Sequence, residues 1–235
     1  LPDAHPEMAS SNIVASMSGC AGQRCMAAAT LIAVGNCDAI LNKLVDDALK
    51  IQCGTTLGAV ISKAAKERIE NYITEAEQQG AKIILDGRNT IVPGKENGFY
   101  VGPTIIDYAT ADMEIAKEEV FGPVLAIIRV NTIDEALAIE NANPYGNACS
   151  VFTQSGGLAN YVTEKFTDAI LAECLACCTF RYIGGRESDF TPGGWNQNIQ
   201  NTIFCGVLGA LTDLCLCSIA RLLDSNFRQV TDDGV

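Results

Sequence analysis

The chain has 235 residues, of which 48% are hydrophobic and 19% are charged, a composition typical of a folded globular chain rather than a disordered one. Its 16 basic and 28 acidic side chains give a formal net charge of −12. The chain therefore lacks the Lys/Arg excess that binding to nucleic acids or anionic membrane surfaces requires. We expect no nucleic acid and no membrane as a partner.

In the first 165 residues, the apolar side chains follow two periods. A period near 3.6 residues predicts amphipathic helices, and short apolar runs predict buried strands. The predicted elements, in chain order, are a helix at 6–17, a glycine-containing turn at 19–22, a strand at 31–34, helices at 38–50 and 62–79, strands at 82–85, 100–106 and 124–130, a helix after 132, a turn at 143–146 and a strand at 149–153. Strands separated by helices predict an α/β domain with a largely parallel sheet flanked by helices.

Four residues predict where two of these helices begin and where one of them ends. Ser62 is a candidate N-cap for the helix over 62–79, and Gly80 is its candidate stop. Thr132 and Glu135 have the spacing of a capping box, in which the two residues satisfy exposed N–H groups at the start of a helix.

The composition changes after about residue 165. Lysine occurs seven times before residue 161 and once, at Lys165, in the rest of the chain, whereas six of the eleven cysteines lie after residue 173. The apolar run 203–220 is only as long as a minimal membrane span, and Asp213 near its centre argues against insertion. We therefore divide the chain into residues 1–165 and a divergent, cysteine-rich tail, 166–235.

The cysteine count predicts free thiols. Eleven is an odd number, and no secretory signal opens the chain, so we expect a reducing compartment: the cytoplasm, or the mitochondrial matrix if the source is eukaryotic. Cys174 and Cys177 have the C-x-x-C spacing of half a zinc site, but the other tail cysteines do not supply a matching half, and we expect no metal. His5 is the only histidine, which restricts histidine-based catalysis to one position.

Cys25 is the candidate nucleophile. It follows the glycine turn and has Arg24 beside it, and a cysteine in such a setting can be held partly as the thiolate, the form that attacks a carbonyl carbon. The alternative is an inert cysteine packed in a helix–strand connection, which is the commoner role of a free cysteine. The residues alone leave both interpretations open and favour the second.

Several motifs resemble those of one enzyme family. Residues 22–27 (GQRCMA) resemble the nucleophile motif of the aldehyde dehydrogenase superfamily, and residues 117–124 (KEEVFGPV) resemble its second motif. Further segments resemble the family in the same order: 57–62, 98–104 and 143–153. The Gln-Arg-Cys-Met form is most similar to the methylmalonate-semialdehyde dehydrogenase branch, which is coenzyme-A-acylating.

The resemblance implies NAD-dependent oxidation of a small-molecule aldehyde, methylmalonate or malonate semialdehyde, to an acyl-CoA. Cys25 would attack the aldehyde carbon, hydride would pass to NAD, and coenzyme A would take the acyl group from the thioacyl enzyme. Glu119 would hydrogen-bond the nicotinamide-ribose hydroxyls of NAD, and Phe121 would pack near the nicotinamide. Arg24 would meet a substrate carboxylate or satisfy nearby carbonyls. Apart from the resemblance, Glu118 and Glu119 read as a solvated pair.

The resemblance also has limits along the chain. It covers about residues 1–165, an incomplete catalytic domain and well under half of a complete family member. In the family, the dinucleotide-binding domain and the asparagine of the oxyanion hole precede this segment. The tail matches only at 193–196, which suggests a frame shift or misreading and makes the family's homo-oligomer doubtful here. The alternative is therefore an inactive truncated product, at most a partner-binding or structural remnant.

Overall fold

The computed structural model describes residues 1–143, 149–166 and 171–174. Within these ranges the helices are α1 (Pro6–Ser18), α2 (Asp38–Ala48), α3 (Lys63–Gln78), α4 (Glu114–Lys117), α5 (Ile133–Ala142) and α6 (Gly156–Lys165), and a tight turn with left-handed backbone angles (Gly19–Gly22) follows α1. The strands are β1 (Thr30–Val34), β2 (Lys82–Leu85), β3 (Thr104–Asp107), β4 (Val124–Val130), β5 (Cys149–Phe152) and β6 (Leu171–Cys174).

Four strands form the central sheet in the order β1-β4-β3-β2. Strand β4 is parallel to both β1 and β3, whereas β2 runs antiparallel to β3. Thr30 lies opposite Ala126, and Thr104 lies opposite Val124. Strands β5 and β6 form a separate parallel pair. The largely parallel sheet between helices confirms the predicted α/β class.

Strand β4 separates two hydrophobic cores. Val124, Ala126 and Ile128 face the core that contains α3, whereas Leu125 and Ile127 face the core that contains α1 and α2. This alternation is the two-residue period of a strand whose two faces are both covered. Each fully buried aliphatic side chain stabilises the fold by about 1.5–3 kcal/mol, so the sheet holds its loops on a rigid base.

Ser62 and Thr132 cap the helices at the predicted N-termini. The Ser62 hydroxyl accepts a hydrogen bond from the Ala65 N–H at 3.1 Å, and the Thr132 hydroxyl accepts one from the Glu135 N–H at 3.2 Å. The Glu135 carboxylate accepts from the N–H of Asn131 at 2.8 Å, one residue earlier than in a standard capping box. Both caps therefore satisfy N–H groups that a helix leaves without an internal partner.

The predicted strand at 100–106 was wrong in its extent, because β3 covers only Thr104–Asp107. Pro103 has no N–H to donate to a neighbouring strand, and the Gly102 N–H donates instead to the carbonyl of Gly87 at 2.8 Å. The residues before Thr104 thus belong to a loop that crosses to the segment after β2.

Some predicted features fall outside the described residues. These are most of the turn at 143–146, the apolar run 203–220 and, except for the backbone of β6, the cysteine-rich tail. Among the helices that the structure does describe, none is long and apolar enough to cross a membrane.

Candidate active site

The loops that precede the parallel strands meet at one edge of the sheet. Cys25 lies five residues before β1, Pro123 immediately precedes β4, and Pro103 immediately precedes β3. Because these three strands are mutually parallel, their amino ends lie at the same edge. The fold therefore brings together the two motifs that sequence analysis singled out, although about 90 residues separate them along the chain.

A backbone contact between Gly22 and Gly122 joins the two motif loops. A Cβ atom placed on Gly22 would lie 1.9 Å from the carbonyl oxygen of Gly122 and 2.8 Å from the nitrogen of Pro123. Gly22 also has a φ of +69°, in the left-handed region that favours glycine. Only a residue without a side chain permits this approach, so the contact holds the loop that contains Cys25 against the second motif.

Cys25 lies in a surface turn. The turn is closed by a hydrogen bond from the Ala27 N–H to the Arg24 carbonyl at 3.1 Å, and the Cys25 side chain is exposed. The burial of Cys25 that the residues alone favoured is therefore a wrong prediction, whereas its reactivity stays a prediction. An exposed thiol at the edge of the sheet is accessible to a small electrophile.

The Arg24 guanidinium folds back over the end of α1. Its Nη1 lies 2.8 Å from the point where a Cβ on Gly19 would stand. Carbonyl groups without helical partners and the negative end of the helix dipole favour a cation at this position. The position fits the alternative in which Arg24 satisfies nearby carbonyls, while contact with a substrate carboxylate stays a prediction.

Glu119 and Phe121 lie on the loop that Gly22 contacts. Both side chains are exposed, and Phe121, 37% exposed, has a φ of +52° that turns the chain sharply into Gly122. The Nη1 atom of Arg68, in α3, lies 3.4 Å from the carbonyl oxygen of Glu119. This hydrogen bond connects the loop to α3. A carboxylate and an aromatic ring are thus presented to solvent from one loop beside the Cys25 turn.

Gln23 is a site residue that sequence reasoning missed. Its Oε1 accepts a hydrogen bond from the Ile61 N–H at 2.8 Å, and its Nε2 donates to the carbonyl of Cys20 at 3.1 Å. The partner segment at 57–61 lies nearly forty residues along the chain, and no local pattern indicates so distant a partner. The only available signal is that both segments resemble the same family.

A cleft lies at the opposite edge of the sheet, where β3 and β4 end. It has a volume of about 490 Å³ and is lined mainly by α2, β2 and the ends of β3 and β4. Arg129 pairs there with Asp107 at 2.8 Å and with Asp38 at 2.8 Å, and these hydrogen bonds raise the pKa of the guanidinium above its ordinary value. Tyr108 lies over the same guanidinium. We interpret this cluster as a structural clamp between α2 and the sheet.

No group of three or more His, Cys, Asp or Glu side chains within the described ranges is placed to hold a metal ion. The zinc hypothesis for Cys174 and Cys177 stays a prediction, because the structure describes only the backbone of Cys174 and Cys177 is outside the described residues.

Sequence comparison identifies relatives for the part of the chain that carries the site. The chain matches the aldehyde dehydrogenase family over residues 1–181. It is 48% identical over 165 residues to the mitochondrial, acylating methylmalonate-semialdehyde dehydrogenase of Arabidopsis thaliana, an alignment that covers 68% of this chain and 27% of that protein. The chain thus spans about a quarter of the length of this curated relative.

Comparison with solved structures gives the same result. The methylmalonate-semialdehyde dehydrogenase of Oceanimonas doudoroffii superposes with a TM-score of 0.71 and 35% identity, covering 78% of this chain and 40% of that one. An aldehyde dehydrogenase of Mycobacterium tuberculosis complexed with NAD+ superposes with a TM-score of 0.69 and 28% identity, over the same shares of the two chains. These similarities confirm the family resemblance that the motifs predicted.

Proposed function

The chain belongs to the aldehyde dehydrogenase family, and from this premise we propose that it forms the nucleophile-bearing part of a coenzyme-A-acylating enzyme. The proposed reaction is NAD-dependent oxidation of methylmalonate or malonate semialdehyde to an acyl-CoA. Relatives whose names carry this activity support the choice of aldehyde. Cys25 is the proposed nucleophile, Glu119 and Phe121 are the proposed NAD-binding residues, and Arg24 is the proposed partner of the substrate carboxylate.

One observation carries this proposal. Gly22 contacts Gly122, and this contact holds the turn with the exposed Cys25 against the loop that carries Glu119 and Phe121. An exposed thiol, a carboxylate and an aromatic ring thus lie on adjacent loops at one edge of the sheet, which supports the proposal. That arrangement is what covalent catalysis followed by hydride removal requires.

The chemistry at Cys25 follows from its exposure. The thiolate would add to the aldehyde carbon, forming a C–S bond while the carbonyl electron pair moves to oxygen. The backbone N–H of Cys25 would donate to that oxyanion. Once hydride has left the carbon, the carbonyl reforms as a thioester on Cys25. Coenzyme A, as its thiolate, would then attack the thioester carbon and form the acyl-CoA, while the bond to Cys25 breaks and Cys25 leaves as a thiolate.

The exposed groups fit NAD, which supplies the acceptor for the hydride when it is bound. An ionised carboxylate such as that of Glu119 accepts hydrogen bonds from paired hydroxyl groups. The exposed ring of Phe121 offers a flat apolar surface for the nicotinamide end. An exposed Glu119 carboxylate and a Phe121 ring turned outward by a left-handed backbone suit that role better than a role in the core.

Location and assembly belong to the same proposal. The Arabidopsis thaliana relative is named as mitochondrial, which supports the mitochondrial matrix if the source is eukaryotic and the cytoplasm otherwise. A homo-oligomer is the arrangement expected of the family. The partners proposed for this chain are the aldehyde, NAD and coenzyme A.

Acyl transfer through Cys25 can be tested without NAD. p-Nitrophenyl acetate should acetylate Cys25, with p-nitrophenolate as the leaving group, and added coenzyme A should remove the acetyl group as acetyl-CoA. Mass spectrometry of the Cys25 peptide measures both steps, and Cys25→Ala is the matched control. Acetyl groups spread evenly over Cys20 and Cys25, or an acetyl-Cys25 that coenzyme A leaves intact, would contradict the proposal.

A further inference from the structure

Three consecutive residues before the nucleophile adopt left-handed backbone conformations. The φ angles of Cys20, Ala21 and Gly22 are +52°, +56° and +69°. Gly22 takes this conformation at no steric cost, whereas Cys20 and Ala21 carry Cβ atoms that clash with the backbone there. Such a turn persists only where surrounding contacts hold it. Ala21 is 1% exposed and packs in the core that contains α3. This packing holds the turn at Ala21.

The side chain of Gln23 holds the rest of the turn. Its Nε2 and its backbone N–H both donate to the Cys20 carbonyl, at 3.1 and 3.2 Å. Its Oε1 accepts from the Ile61 N–H at 2.8 Å, and Nε2 also approaches the carbonyl of Ala59 at 3.5 Å. One amide group thus joins the left-handed turn to the segment that leads into α3, so Gln23 links two parts of the chain that the sheet alone does not connect.

We propose that Gln23 is a positioning residue, which keeps the left-handed turn from relaxing and thereby holds the Cys25 thiol in one place for attack on an acyl carbon. The inference rests on the proposed function, because it takes Cys25 to be the nucleophile. The alternative is that Gln23 only stabilises the fold. The two differ in one respect: a positioning role makes the reactivity of Cys25 depend on Gln23 in molecules that are fully folded.

The test compares Gln23→Met with the parent 235-residue chain. Methionine has about the length of glutamine but forms no comparable hydrogen bonds. Acetylation of Cys25 by p-nitrophenyl acetate should slow about tenfold or more, since a small misplacement of a reacting group has effects of this size. Thermal unfolding, followed by circular dichroism, reports whether the variant is folded at the temperature of the assay.

A second substitution separates positioning from stability. In Cys20→Gly, residue 20 adopts the left-handed conformation without a steric cost, so the turn needs less support. The double variant Gln23→Met/Cys20→Gly should regain most of the parent acetylation rate at Cys25, although it does not restore the hydrogen bond to Ile61. A role confined to stability predicts no slowing in folded Gln23→Met, and therefore no lost rate for Cys20→Gly to restore.

Each outcome decides the inference. An acetylation rate in folded Gln23→Met equal to that of the parent, or a slowed rate that Cys20→Gly leaves unchanged, would overturn it. A parent chain in which Cys25 reacts no faster than Cys20 would overturn the proposed nucleophile and this inference with it. If Gln23→Met does not fold, Gln23→Glu replaces it: the carboxylate still accepts from Ile61 but cannot donate to Cys20, and the same slowing and rescue are expected.

Discussion

Replacing Gly22 with alanine is expected to lower the free energy of unfolding by about 2–5 kcal/mol, the sum of left-handed strain and overpacking. The new Cβ would lie 1.9 Å from the carbonyl oxygen of Gly122, and the opposing atoms belong to the backbone, so no side chain can rotate away. The loop must move off the second motif, and Cys25 should lose its acetylation by p-nitrophenyl acetate as well. Urea unfolding and the acetylation assay measure the two effects.

Two glycines serve as matched controls for this substitution. Gly80 has a φ of +100° but open space around its Cβ position, so Gly80→Ala isolates the backbone cost of about 1–2 kcal/mol. Gly58 has open space and no left-handed backbone, so Gly58→Ala should change stability by no more than about 1 kcal/mol. A Gly22→Ala variant no less stable than Gly80→Ala would contradict the close approach of the two loops.

The 235-residue polypeptide, assayed alone, is expected to form no NADH from methylmalonate semialdehyde, NAD and coenzyme A above the level of Cys25→Ala. The residues proposed to bind NAD are Glu119, through its carboxylate, and Phe121, through its ring, and both are exposed. A hydrogen bond to a charged group is worth about 1.5–3 kcal/mol, whereas micromolar affinity requires about 8 kcal/mol. Hydride transfer also needs the nicotinamide held about 3–3.5 Å from the reacting carbon.

NADH absorbance at saturating substrate measures this directly. Turnover by the parent chain that disappears in Cys25→Ala would contradict the expectation and would locate further cofactor contacts among the remaining residues. Absence of turnover together with transfer of an acetyl group from Cys25 to coenzyme A would instead assign the acyl chemistry to this chain and leave hydride transfer to groups that the 235-residue polypeptide does not supply.

The helices and strands of the site could be predicted because their causes are local. In α2 and α3, apolar residues recur at the helical period, which is visible within a short stretch of sequence. The capping oxygens of Ser62 and Thr132 likewise bind N–H groups only three residues further along the chain. The extent of β3 could not, because the partner of the Gly102 N–H is the carbonyl of Gly87, on a separate segment. A short apolar run does not reveal which of its N–H groups are already used elsewhere.

In the candidate site, too, some features could be predicted from the sequence and others could not. Cys25, Glu119 and Phe121 were found through motif resemblance, which records side chains but not the contacts between loops. The approach of Gly22 to Gly122 depends on how the parallel strands are ordered in the sheet, and the hydrogen bond between Gln23 and Ile61 depends on where the segment before α3 lies. Local residue spacing predicts neither contact. Both contacts affect where the Cys25 thiol lies, not how it reacts.

The central claim, that Cys25 is a nucleophile presented by this fold, is tested most directly by site-resolved alkylation. With iodoacetamide at neutral pH, mass spectrometry should find Cys25 modified at least about tenfold faster than any of the other ten thiols, since its side chain is exposed in the turn that Gly22 holds against the second motif. Cys37 and Cys53 are internal references, because burial raises the pKa of each thiol and lowers its thiolate fraction. Cys20, equally exposed and five residues away, is the decisive comparison. Preferential labelling of Cys25 that is lost in urea would support the account, and equal rates at Cys20 and Cys25 in the folded chain would contradict it.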